Sequence, residues 1–175
     1  MEKKNNLDFI AVNIAILTVT DTRTIADDKS GTILAGRIKE AGHNLILHEI
    51  VKDEKPLIAE KFCKWANDLA IDIVISTGGT GLTGRDVTPE ALIEVSEKEI
   101  PGFGELFRML SFQKIKTSTI QSRACAGVLN GTYIFSLPGS PNACKDAWDE
   151  ILVYQLDIRH KPCNFVELLP RLKEC

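Results

Sequence analysis

No apolar run in this chain approaches the roughly 20 residues needed to span a bilayer. The opening stretch, MEKKNNLDF, lacks the apolar centre of a secretory leader. No membrane partner is therefore expected, and the chain reads as cytoplasmic. Positive charge is not in excess: 21 Lys and Arg stand against 24 Asp and Glu, a formal net charge of −3. That balance gives no reason to expect a nucleic-acid partner. Cysteine motifs are missing too. Cys63, Cys125, Cys144, Cys163 and Cys175 are odd in number and form no C-x-x-C, so neither a disulfide framework nor a zinc site is indicated. They read as reduced, structural residues. His43, His48 and His160 are scattered without metal-ligand spacing. There is no internal repeat, low-complexity tract or composition break. What remains is an ordinary globular composition, 44% apolar and 26% charged over 175 residues, enough for one domain with a real core.

Strand-like and helix-like segments alternate. Residues 12–21 (VNIAILTVTD), 44–53 (NLILHEIVKD), 71–76 (IDIVIS) and 132–137 (TYIFSL) are rich in β-branched and apolar residues, and most read as strands buried on both faces. Between them, residues 31–42 predict a helix with Ser30 as N-cap, Gly42 as stop, and Ile33, Leu34, Ile38 and Ala41 inward. Residues 55–69 predict a second, with a stripe of Leu57, Ile58, Phe62, Trp65 and Leu69. Thr88 reads as the N-cap of a helix beginning at Pro89. Residues 101–115 predict a helix with Phe103, Leu106, Phe107 and Leu110 inward. Residues 121–131 (QSRACAGVLNG) read as a short helix ending near the turn Asn130–Gly131, and residues 142–160 as one long last helix. The alternation predicts a mainly parallel α/β sheet with helices on both faces.

The chemically unusual segments all follow strands. Asp21 follows the first, Asp53 the second, STGGTGLTGRD (76–86) the third, and PGSP (138–141) the last. Open α/β sheets bind ligands outside the carboxyl ends of their strands, so these segments predict a single site on one edge of the sheet.

The glycine loop matches G-x-G-x-x-G at Gly79, Gly81 and Gly84, but in the wrong place. A dinucleotide fingerprint sits in a tight first βα turn with the helix opening inside it. Here the glycines follow the third strand and the helix waits for Thr88. A P-loop needs Lys followed by Ser or Thr, and this loop has Arg85 and Asp86. What fits is a nest of amides around Gly78, Gly79 and Gly81, which can either hold an anion or simply make a tight turn. Asp86 has four readings on the residues alone: a carboxylate that reaches a phosphate through magnesium, an acceptor for a ligand N–H or O–H, a partner for Arg85, or a cap for the next helix. Asp53 is a possible second carboxylate or plain surface polarity.

Taken in order, ILTVTDTR with DDKSG, STGGTGLTGRDVTPEA, SRACAG and SLPGSPNA resemble the molybdenum cofactor biosynthesis family that includes MoaB, MogA and the gephyrin G domain. The resemblance covers about residues 14–165. GFGELFRMLSF and RHKPCNF look most like the bacterial MoaB branch. It implies a doubly wound three-layer α/β/α sandwich, with a domain at 13–160 between an extension (1–12) and a tail (161–175). It implies a homotrimer, or a hexamer built as a dimer of trimers, working with other proteins of the pathway. The implied ligand is molybdopterin, whose terminal phosphate attacks the α-phosphorus of Mg-ATP in active relatives. In that picture Thr77, Gly78, Gly79, Thr80 and Gly81 hold the terminal phosphate. Asp86 and Asp53 are the catalytic carboxylates, which hold magnesium or orient the pterin N–H groups. Asp21, Ser30 and Gly31 match the first-loop motif, and Ser122 and Arg123 the SR motif, with Arg123 a phosphate or pyrophosphate partner. Pro138, Gly139, Ser140 and Pro141 form the opposite wall. One departure stands out: PGSP replaces the PGNP common in the adenylylating branch. Some members of the MoaB branch bind without adenylylating.

Overall fold

The computed structural model describes residues 7–174. Residues 1–6 of the expected extension, and Cys175, lie outside the described residues. The first strand, β1 (Asn13–Val19), is buried at every position but its first. The third, β3 (Ile73–Thr77), and the sixth, β6 (Thr132–Leu137), are buried throughout. Continuous apolar strands of this kind need cover on both faces. Helices α1 (Lys29–Glu40), α4 (Pro101–Ile115) and α5 (Pro141–Ala147) cover one face. Helices α2 (Lys55–Ala66) and α3 (Thr88–Val95) cover the other.

Strand alternation divides the core accordingly. Ile14, Ile16, Ile73, Ile75, Tyr133 and Phe135 pack with Leu34, Ile38, Phe103, Phe107 and Trp148. Ala15, Leu17, Val74 and Ile134 pack with Ile58, Phe62, Trp65 and Leu92. Each large side chain so enclosed contributes about 1.5–3 kcal/mol relative to exposure. The result is the expected doubly wound α/β/α sandwich.

The sheet order is β2-β1-β3-β6-β5-β4, with β2 (Asn44–Val51) and the two-residue β4 (Lys98–Glu99) at the edges. The pairs β1/β2, β1/β3 and β3/β6 are parallel. β5 (Cys125–Leu129) is antiparallel to both its neighbours. The chain leaves β1 toward β2 on one side and returns to β3 on the other, so the switch point of the sheet lies between the ends of β1 and β3.

Several local expectations are corrected. Residues 121–131 are not a helix: a 3₁₀ turn (Lys116–Gln121) precedes β5, which forms a hairpin with β6. Asn130 and Gly131 have φ of 46° and 78°, the paired left-handed geometry of a two-residue hairpin turn. A Cβ on Gly127 would meet Ser96 Oγ, and sheet pairing with β6 outweighs the strong helical preference of Ala124 and Ala126. Asp28, not Ser30, caps α1 by accepting the Gly31 N–H at 3.0 Å. Val87 is the N-cap of α3, and Thr88 lies buried in its first turn. The last helix runs without a break from Pro141 to Gln155, as α5, a π-helical turn (Trp148–Leu152) and α6 (Val153–Gln155), seats Trp148, Ile151 and Leu152 in the core, and ends five residues short of His160. A further short helix, α7 (Phe165–Leu168), lies beyond it. Leu57, Leu69 and Leu106, expected inward, are exposed.

Burial pushes the thiols of Cys125 and Cys144 up to about 11, which keeps them protonated and inert. Cys163 is exposed. No helix among the described residues is long and apolar enough to cross a membrane.

The hairpin turn can be tested directly. Gly131→Val, a β-branched residue at positive φ, should lower stability by about 1–2 kcal/mol in urea unfolding, with the denaturant slope unchanged.

Candidate functional site

The ends of β1, β3 and β6 open into a cleft of about 600 Å³. Its lining includes Thr20, Arg23, Asp53, Gly78, Gly79, Thr80, Gly81, Asp86, Ser122 and the Pro138–Pro141 turn. Backbone packing makes the floor. Gly78 has φ of 105°, and a Cβ there would fall 2.1 Å from Val19 O. Gly139 leans on the other side of Gly78, its own Cβ position only 3.3 Å from Gly78 Cα. Thr88 Oγ1 donates to Gly78 O at 2.9 Å and its N–H to Gly79 O at 3.0 Å, tying the loop to the start of α3.

The expected phosphate donors divide. Gly78 N–H donates to Leu137 O (3.0 Å) and so extends the sheet ladder. Thr77 is buried, and its hydroxyl donates to Pro138 O (3.0 Å). Gly81 N–H serves the Asp86 carboxylate. The N–H groups of Gly79 and Thr80 meet no acceptor among the described residues, and both residues line the cleft. The nest therefore rests on two amides rather than on the whole loop.

The carboxylates divide as well. Asp86 Oδ2 accepts from Thr83 N (2.8 Å) and Thr83 Oγ1 (2.6 Å). Partial burial pushes the Asp86 carboxyl up, but these bonds, the Gly81 N–H and nearby Arg123 together hold it below the usual carboxylate range. Asp53 is shifted the other way, by burial first and then by the carboxylates of Asp21 and Asp86. Asp86 pairs with neither Arg85 nor the helix cap. Arg85 reaches across to Asp21 with two bonds, Nε–Oδ2 at 3.0 Å and Nη2–Oδ1 at 2.9 Å, and Asp21 Oδ1 also accepts Asp53 N–H at 3.2 Å.

Five expected site residues stand outside the cleft lining: Thr77 and Asp21, bonded as described above, and Ser30, Gly31 and Arg123. Ser30 Oγ donates to Gly139 O (2.8 Å) and holds the PGSP wall from behind. Gly31 lies against Asp28 and His48, which leave no space for a side chain. Arg123 faces away and bonds the loop backbone. Ser140 lines the cleft, but its hydroxyl caps α5 by accepting Ala143 N–H at 3.2 Å. Sequence reasoning missed Arg23, the cationic side chain of the cleft lining, whose Nη1 donates to Gly139 O at 3.4 Å. Its signal was present in TDTR, next to Asp21. It also missed the buried Asp28, visible only as the second aspartate of DDKSG.

Among the described residues no group of three or more His, Cys, Asp or Glu is arranged to hold a metal. Asp53 and Asp86 present two carboxylates to one cleft. That donor set fits magnesium, which commonly takes one or two carboxylates and completes its shell with water and substrate phosphates.

The chain matches the family described as "Probable molybdopterin binding domain" over residues 15–158. A relative from Escherichia coli K12, molybdenum cofactor biosynthesis protein B, is 49% identical over 158 residues, spanning 90% of this chain and 93% of the relative. A crystal structure of a molybdenum cofactor biosynthesis protein B is similar at a TM-score of 0.82 and 42% identity, covering 84% of this chain and 92% of that one. The tungsten cofactor synthesizing protein MoaB from Pyrococcus furiosus is similar at 0.72 and 32%, covering 81% and 91%. The chain belongs to this molybdopterin-binding domain family of molybdenum cofactor biosynthesis proteins.

Asp53 yields a signed prediction. Its raised pKa means that its ionised form costs stability, a cost that appears as pH rises through the folded-state value. Asp53→Asn should therefore raise the melting temperature slightly at neutral pH, by about 1 °C given its partial exposure. The gain should vanish as pH falls below the ordinary carboxylate range, where Asp53 is itself neutral. Thermal melts across pH would check both limbs.

Proposed function

We propose that the cleft binds molybdopterin by its terminal phosphate and transfers an adenylyl group to it from Mg-ATP. One observation carries the reading: Gly79 and Thr80, whose N–H groups take no acceptor among the described residues, line the same cleft as Asp53 and Asp86 in a chain of this family. Transfer chemistry of this class depends on positioning and charge neutralisation more than on covalent help from the protein. The Gly79 and Thr80 amides hold the phosphate that attacks. A phosphate oxygen bonds to the α-phosphorus of ATP as the bond to pyrophosphate breaks, and pyrophosphate leaves. Arg23 faces the developing negative charge from the opposite rim. Asp86, kept ionised by Thr83 and Gly81, and Asp53 would hold the magnesium, which would supply neutralisation of the nucleotide phosphates. Ser122 and the Pro138–Ser140 turn close the far side.

A second reading, a molybdopterin carrier without chemistry, is favoured by one detail. Ser140 stands where the adenylylating branch often has Asn, and its hydroxyl is spent on the α5 cap. Incubation with molybdopterin and Mg-ATP separates the two. Release of pyrophosphate with formation of adenylylated product supports the enzyme. Tight molybdopterin binding with no product assigns the carrier role. Asp86→Ala should reduce turnover by about 100-fold or more while weakening molybdopterin binding by less than about tenfold.

We also propose self-association, as the resemblance implies. Leu106, Met109, Phe112, Ile115 and Ile120 expose a run of apolar surface along α4 and the turn after it, with Ile120 81% accessible, more than single scattered apolar residues require. Light scattering should return three or six times the 19.3 kDa chain mass. Phe112→Glu should shift that value downward.

A further inference from the structure

A single guanidinium grips both ends of the segment that carries Asp86. Arg123 lies between the 3₁₀ turn (Lys116–Gln121) and β5. Its backbone N–H donates to Thr80 O at 3.2 Å, its Nε to Gly81 O at 2.7 Å and its Nη2 to Asp86 O at 2.7 Å. Its Nη1 pairs with Glu90 in the first turn of α3. The side chain does not line the front cleft. It lines a second cavity, of about 500 Å³, behind the loop, together with Glu90, Glu105 and Arg108.

Residues 81–86 need such a fixture. They form no helix or strand, and Leu82 is 67% exposed, so apolar packing does not hold them. The bonds between Thr83 and Asp86 shape the loop without attaching it to the body. The other attachment recorded there is the Arg85–Asp21 pair, which is exposed on both sides and of the kind that contributes little.

We propose that Arg123 is a positioning residue: it clamps the Gly81–Asp86 segment from behind, and so aims Asp86 and the Gly79–Thr80 amides into the cleft without touching the ligand itself. This rests on the reading that Asp86 works in that cleft. The geometry calls for arginine in particular. Two diverging N–H groups on different nitrogens reach two carbonyls while a third nitrogen meets Glu90, and the single ammonium of lysine cannot reproduce that planar fork.

The experiment compares wild type, Arg123→Ala, Arg123→Lys and Glu90→Gln. Hydrogen exchange is read on the free protein at the amides of Thr83, Asp86 and Thr88, each hydrogen-bonded in the structure. Arg123→Ala should lose protection at these amides while the β1, β3 and β6 amides keep theirs. Arg123→Lys should recover little. Guanidinium ion, at concentrations far below those that unfold the protein, can enter from the rear cavity and should restore protection. Methylammonium at the same ionic strength should not. If Arg123→Ala fails to fold, Glu90→Gln, which frees one arm of the clamp, should still raise exchange at the same three amides. In turnover, kcat should fall by up to about 100-fold with a smaller change in KM for ATP, and guanidinium should recover it. Unchanged exchange in both Arg123→Ala and Glu90→Gln overturns the proposal. So does loss of pyrophosphate affinity without a change in exchange, which makes Arg123 a direct ligand contact. If the wild type transfers no adenylyl group but the exchange and rescue results hold, the adenylyltransferase reading fails and the clamp stands.

Discussion

The backbone of Gly78 runs so close to the carbonyl of Val19 that no side chain can stand between them. This approach joins the end of β3 to the end of β1 at the switch point of the sheet. Gly139 presses on Gly78 from the end of β6, and Thr88 ties Gly78 and Gly79 to the start of α3. Three strand ends and one helix start are thus locked by main-chain packing and the Thr88 hydroxyl. The cleft inherits its rigidity from that lock, and any residue larger than glycine at position 78 would separate the walls that form it.

Onto this rigid floor the chain places groups that the sheet does not itself immobilise. The Asp86 loop is exposed and irregular, and it is held by polar ties: Arg85 to Asp21 on one side, Arg123 on the other. Asp21 also takes the Asp53 N–H, so the loops after β1, β2 and β3 share one short polar chain. Ser30 plays the same part for the turn after β6, bonding Gly139 O from the first turn of α1. Residues that sequence motifs mark as site residues therefore fall into two kinds. Some face the cleft, and some hold those that do.

This division explains what was readable in the sequence and what was not. The buried strands announced themselves through unbroken apolar runs, because a central parallel strand is covered on both faces. The edge of the site followed from the placement of Asp21, Asp53, the glycine loop and PGSP after successive strands. β5 did not announce itself: Ala, Cys and Gly carry little strand preference, and only pairing with β6 decides the outcome. Asn130–Gly131 was seen as a turn, but its hairpin meaning needed a partner strand on the near side. Arg123 looked like a phosphate ligand because a charged residue in a motif says nothing about which way it faces. Arg23 and Asp28 lie within TDTR and DDKSG, but neither exposure nor burial is visible in one sequence.

The two carboxylates of the cleft are not equivalent, and the difference bears on how the site would be used. Asp86 is satisfied by the protein: Thr83 and Gly81 supply donors, Arg123 supplies charge, and the carboxyl stays ionised on its own. Asp53 is not satisfied. Burial and two neighbouring carboxylates oppose its charge, and a cation is what would relieve it. In the adenylyl-transfer reading, the nucleotide brings that cation with its phosphates. Asp86 would then be the fixed anchor, and Asp53 the carboxylate whose charge the arriving metal relieves. A cleft so arranged resists accumulating negative charge until the positive charge that balances it is present.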